Sequence, residues 1–197
     1  MTATVSTTAE QNLTAQELEQ GRLFLEQTQN AVLGVMKGLS EAQWNFKPAP
    51  DHWSIAENLE HVVIVQERVL GAILEQLEFA PAPAADVDPK VVDAIVINQF
   101  PTRLNKFKAP EAVRPAQTIV PLEFIERLKA NFAQMGNCLE TKPGLRQHAV
   151  EAAPLKAITS GAYTHMDGYQ WVLAAAAHTE RHAKQMLEVR ADPAYPA

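Results

Sequence analysis

Apolar side chains recur every three or four residues through four separate stretches of this chain, and no segment shows a convincing period-two alternation. Leu18, Leu25, Val32, Val35, Met36 and Leu39 share one helical face. Thr14 stands ready to cap that helix, with Glu17 three residues on and Leu13 placed to staple onto Leu18. This pattern predicts a first helix over 14–39. Ile55, Leu59, Val62, Val69, Ile73 and Leu77 predict a second over 54–79, opened by a Ser54/Glu57 capping box. Leu122, Ile125, Leu128, Phe132, Met135 and Leu139 predict a third over 121–141 behind Pro121. A fourth is predicted over 165–190, opened by Thr164 with Asp167. Four amphipathic helices must bury their stripes against one another, so the expected class is all-α, a four-helix bundle.

The connections are uneven. Residues 80–117 carry Pro81, Pro83, Pro89, Pro101, Pro110 and Pro115. A stretch this long is no simple turn and is expected to be a crossover between helices two and three. A short helix is expected within it, capped by Asp88 with Pro89 at its first position. Residues 1–12 are small and polar and are expected to form a disordered arm. The expected bundle domain is then 13–191, and 192–197 a short tail.

At 47% hydrophobic residues the chain can build a sizeable core. A net charge of −6 without a Lys/Arg block argues against nucleic acid and against an anionic membrane surface. The longest apolar run near the C-terminus, "WVLAAAA", is far too short to span a bilayer. A single cysteine, Cys138, excludes an internal disulfide and reads as a small buried hydrophobe. With no signal-peptide pattern at the N-terminus, the expected compartment is the cytoplasm.

One stretch needs more than helix-making to explain it. "AAAAHTERHAKQM" carries His178 and His182 four residues apart, hence on one helix face about 6 Å apart at Cβ. Two imidazoles so placed can converge on one metal ion, although the spacing alone suits a core or surface pair as well. Of the other histidines, His165 lies 13 residues before His178, about 20 Å along the same predicted helix. His52 and His148 fall in predicted loops. His61, at the edge of the stripe of helix two, can meet His178 and His182 if helices two and four pack together.

"HWSIAENLEHVVIVQERV" followed far downstream by "GAYTHMDGYQWVLAAAAHTERHAKQM" resembles the DinB-like family of helical bundles. That family has W-S-x-x-E-x-x-x-H on its second helix and H-x3-H-x2-Q near its end. Here these are Trp53, Ser54, Glu57 and His61, then His178, His182 and Gln185. "APEAVRP" resembles a family segment before helix three, and the resemblance covers about residues 14–190. It implies a four-helix bundle, often a homodimer, with a divalent metal, zinc or nickel, held by His61, His178 and His182. Relatives include thiol-dependent S-transferases and isomerases. The Arg frequent on the family's third helix has no match in "KANFAQ", where Asn131 stands, so no anion contact is carried over.

Three neutral imidazoles leave an ion's charge uncompensated and at least one position open. Such a site suits hydrolysis by metal-bound hydroxide or addition of a low-molecular-weight thiol to an electrophile, with a small molecule as substrate. A non-catalytic metal- or ligand-binding bundle is the alternative. Glu57 is explained as a capping residue and is also the candidate base beside the metal. Glu180 and Arg181 are expected to face away from the site, Gln185 and Trp53 to pack around it, and Tyr169 and Trp171 to lie in the core.

Overall fold

The computed structural model describes residues 13–103, 108–116 and 120–197; the expected arm at 1–12 lies outside them. Helix α1 spans Ala15–Met36 and begins as expected: Thr14 Oγ1 accepts from the Glu17 N–H at 3.2 Å, and the Glu17 carboxylate accepts from the Thr14 N–H at 2.8 Å. It stops before Leu39 because Lys37 turns extended and Gly38 takes a left-handed φ of 72°, cheap only for glycine. Ser40 and Gln43 then form a further capping box that opens the short α2, Glu41–Asn45, an element the periodicity did not predict.

Ser54 and Glu57 start α3, Ile55–Arg68. The predicted second helix continues to Phe79, but not as one regular helix. A π turn at Val69–Ile73 is followed by α4, Leu74–Gln76, and a 3₁₀ turn, Leu77–Phe79. Helix α5, Pro89–Gln99, is the predicted short helix, with Asp88 accepting from the Lys90 N–H at 2.9 Å. After a 3₁₀ turn at Glu111–Val113, α6 runs over Pro121–Thr141. The helices α1 and α3 each pack on both α6 and α8 (Gly168–Arg190), so these four long elements enclose one core, and α5 lies against the outside of α8. The all-α helical class is therefore as expected.

The expectation of no strands fails in one place. β1, Ala149–Glu151, pairs antiparallel with β2, His165–Asp167, flanking a short helix α7 at Ala153–Ile158. Three-residue strands are too short to show a period. The fourth long helix consequently begins at Gly168, and its cap is not Thr164 with Asp167. Asp167 is itself the cap, accepting from the Gln170 N–H at 2.8 Å while Gln170 Oε1 accepts from the Asp167 N–H at 3.0 Å.

A charge cluster fixes this junction. The Arg146 guanidinium donates to Glu17 (2.8 Å), Asp93 (2.6 Å) and Asp167 (2.8 Å), and lies 4.2 Å over the Tyr169 ring. It thereby joins the starts of α1 and α8 to α5. Gly21 allows Tyr169 and Leu139 to approach α1: a Cβ there would stand 2.8 Å from Leu139 Cδ1. The terminal residues fold back, with Tyr195 edge-on to Phe46 and the Pro196 carbonyl accepting from Gln43. No helix among the described residues is long and apolar enough to cross a membrane.

Candidate metal centre

His61 comes from the middle of α3, and His178 and His182 from successive turns of α8. Because these two helices pack together, the three imidazoles meet where the sequence pairing required. One ligand nitrogen from each lies within 4.8 Å of the others. His61 Nε2 and His178 Nε2 stand 3.2 Å apart, close to the edge of about 3.4 Å that metal–nitrogen bonds of about 2.0–2.1 Å would span in a tetrahedral shell. No further His, Cys, Asp or Glu among the described residues joins the group.

The outer hydrogen bonds assign the free lone pairs. His61 Nδ1 donates to the Val113 carbonyl at 2.6 Å, and His182 Nδ1 donates to Asn58 Oδ1 at 2.8 Å, so each neutral ring keeps an unprotonated Nε2. His178 Nδ1 is buried without a partner among the described residues. Burial pushes the pKa of all three downward. It takes His178 to about 3, helped by the charges of His61 and Arg181. It also takes His182 well below the usual histidine value and lowers His61 against the pull of the Val113 bond. The trio is therefore neutral at pH 7, the state in which imidazole binds metal. Imidazole nitrogens can ligate a range of transition metals, and three of them converge here, so the residues present fit a metal ion.

Trp53 covers one flank, stacked on His182 with centroids 5.9 Å apart and tilted against His61 at 4.8 Å. Beneath the histidines Gln66 donates to Thr179 at 3.0 Å and accepts from Asn131 at 3.2 Å, so Asn131 belongs to a buried polar chain linking α3, α6 and α8. Glu57 is buried, and its oxygens accept from the Ser54 N–H (2.7 Å) and Lys47 Nζ (2.9 Å). Gln185 accepts from Arg103 at 2.9 Å. Arg181 is partly buried, and its charge helps lower the pKa of His178 and His182. Glu180 pairs with Lys184 at 2.7 Å. His52 and His165 are exposed, and His148 donates to the Ala80 carbonyl, so none of these joins the centre. Tyr169, Trp171 and Cys138 are buried, as expected.

Sequence reasoning missed Asn58 and Val113. A signal for Asn58 was present, a polar residue inside the apolar stripe between Ile55 and Leu59. None existed for Val113, which contributes only a carbonyl.

The model of the DinB superfamily matches residues 25–186, a span containing all three histidines. The chain belongs to the DinB superfamily. Among curated proteins it is similar to the uncharacterized protein YuaE of Bacillus subtilis (strain 168), with 25% identity over 156 residues, covering 79% of this chain and 88% of that protein. No solved structure matches it. This member of the DinB superfamily carries a cluster of His61, His178 and His182 that could hold a metal ion.

Proposed function

We propose that this protein is a metal-dependent enzyme acting on a small molecule, either a thiol S-transferase or a hydrolase, with zinc or nickel on His61, His178 and His182. The observation that carries the reading is the convergence of three neutral imidazole nitrogens with no fourth protein ligand among the described residues. When bound, the ion would supply Lewis acidity and lower the pKa of a water or thiol at its open position. The chain's own part is to hold the three rings. Val113 and Asn58 orient His61 and His182, and Trp53 keeps water from one flank. Glu57 is the candidate base, and its bonds to the Ser54 N–H and Lys47 Nζ support an anchoring role beside it.

The stacking of Trp53 against two of the imidazoles favours one other reading, a non-catalytic metal- or ligand-binding bundle. A cavity of about 230 Å³ at the π turn, lined by Leu70, Leu74, Asn137 and Cys138 among others, includes none of the three histidines. A homodimer is the proposed assembly, to be checked by sedimentation.

The deciding experiment is metal content of tag-free protein by mass spectrometry, with His182→Ala alongside. Near one equivalent of zinc or nickel, lost in the variant, is expected. Turnover of thiol–electrophile pairs or of an ester and amide panel by loaded protein then separates the enzyme from the binder. No metal after reloading overturns the enzyme and the metal binder, and leaves a bundle whose three histidines pack together without an ion.

A further inference from the structure

We propose that Asn58 is a positioning residue of this centre, holding His182 in the tautomer with its proton on Nδ1 and its Nε2 lone pair turned to the cluster. The metal-binding consequence rests on the three-histidine reading above; the tautomer does not.

Asn58 is fully buried on α3, three residues before His61. Both ends of its amide are used. Nδ2 donates to the Ser54 carbonyl at 2.8 Å, and Oδ1 faces His182 Nδ1 at 2.8 Å. An amide nitrogen only donates and its oxygen only accepts, so the first bond dictates the second. The reverse orientation would set Oδ1 against the Ser54 carbonyl oxygen, two acceptors face to face in a dry interior. With the oxygen committed to His182, the ring nitrogen opposite must carry the proton.

The anchor is itself held. Ser54 is the cap of α3: its N–H donates to Glu57 and its hydroxyl accepts from the Glu57 N–H at 3.1 Å, while Glu57 takes the Lys47 ammonium. The capping box that starts the helix therefore also fixes the carbonyl that orients Asn58. Lys47, Glu57, Ser54, Asn58 and His182 form one hydrogen-bonded series.

The three imidazoles are not supported alike. His61 leans on a backbone carbonyl that no side-chain substitution removes, and His178 Nδ1 has no partner among the described residues. Asn58 is thus the side chain through which the support of one ring can be tested alone. Being neutral, it orients the imidazole without placing a carboxylate beside the ion.

The test uses nitrogen-resolved NMR of the histidine rings in metal-free protein, with zinc affinity by chelator competition, for wild type, Asn58→Leu and Asn58→Asp. His182 is expected as the Nδ1–H form in wild type. Asn58→Leu should give mixed tautomers at His182, leave His61 unchanged and weaken zinc about 10–100-fold. Asn58→Asp keeps the acceptor for His182 but cannot donate to Ser54, and should retain far more affinity than Asn58→Leu. A wild-type His182 protonated on Nε2 overturns the inference without any variant. So does an Asn58→Leu protein with unchanged tautomer and affinity, or an Asn58→Asp protein that falls as far as Asn58→Leu. Wild type showing the expected tautomer but taking neither zinc nor nickel would overturn the metal reading and leave Asn58 in its role.

Discussion

The Trp53 indole lies within 21° of parallel to the His182 ring, 5.9 Å between centroids. The other two tryptophans, Trp44 and Trp171, have no ring contact with the three histidines among the described residues. Emission from Trp53 should therefore report the centre. Nickel or cobalt added to metal-free protein is expected to quench part of the tryptophan fluorescence saturably, and Trp53→Phe to abolish that response while Trp44→Phe keeps it. An undiminished response in Trp53→Phe would place the bound ion elsewhere.

Acid should unfold the metal-free protein through its histidines. Their folded pKa values lie below the ordinary value of about 6.5. Below that pH the unfolded chain takes up protons that the folded chain refuses, so stability is full above about 6.5 and falls as pH drops. For His178, held at about 3, the loss by pH 5 is about 2 kcal/mol. Asp167, which burial pushes up to about 6, works in the opposite sense. Denaturant melts at pH 7.5 and 5 should therefore compare wild type with His178→Gln, whose smaller pH dependence isolates the imidazole contribution.

Arg146 neutralises Asp93 and Asp167, which are largely shut off from water, together with the partly exposed Glu17. Arg146→Met keeps much of the side-chain volume but leaves Asp93 and Asp167 buried and uncompensated, and is expected to cost about 3–5 kcal/mol in urea melts. A loss under about 1 kcal/mol would show that water reaches the acids readily.

Gly21→Ala should destabilise by about 1–3 kcal/mol, because its methyl would meet Leu139 Cδ1 at 2.8 Å and the Tyr169 ring at 3.2 Å. The double variant with Leu139→Ala relieves the first of these contacts, and its double-mutant cycle should return a favourable coupling. Additive losses would mean that Leu139 simply rotates away.

The parts of this molecule legible in its sequence are those decided locally. Thr14/Glu17 and Ser54/Glu57 announce helix starts because both partners lie within four residues. His178 and His182 announce a shared face because helix geometry alone aligns them. Thr164 misled because β2 claims residues up to Asp167, a pairing with Ala149–Glu151 that no local pattern encodes. Asn58 and Val113 stayed hidden because each matters only after α3 meets, respectively, α8 and the 3₁₀ turn.

His61 and His178 are separated by 117 residues of chain, and all the other long elements after α3 lie between or beside them. During synthesis, a nascent chain carrying α1 to α6 owns only one of the three imidazoles and cannot chelate. Any capture of an ion by all three imidazoles would have to wait until α8 has left the ribosome and docked on α3, so the centre would close after α1 to α6 have already emerged.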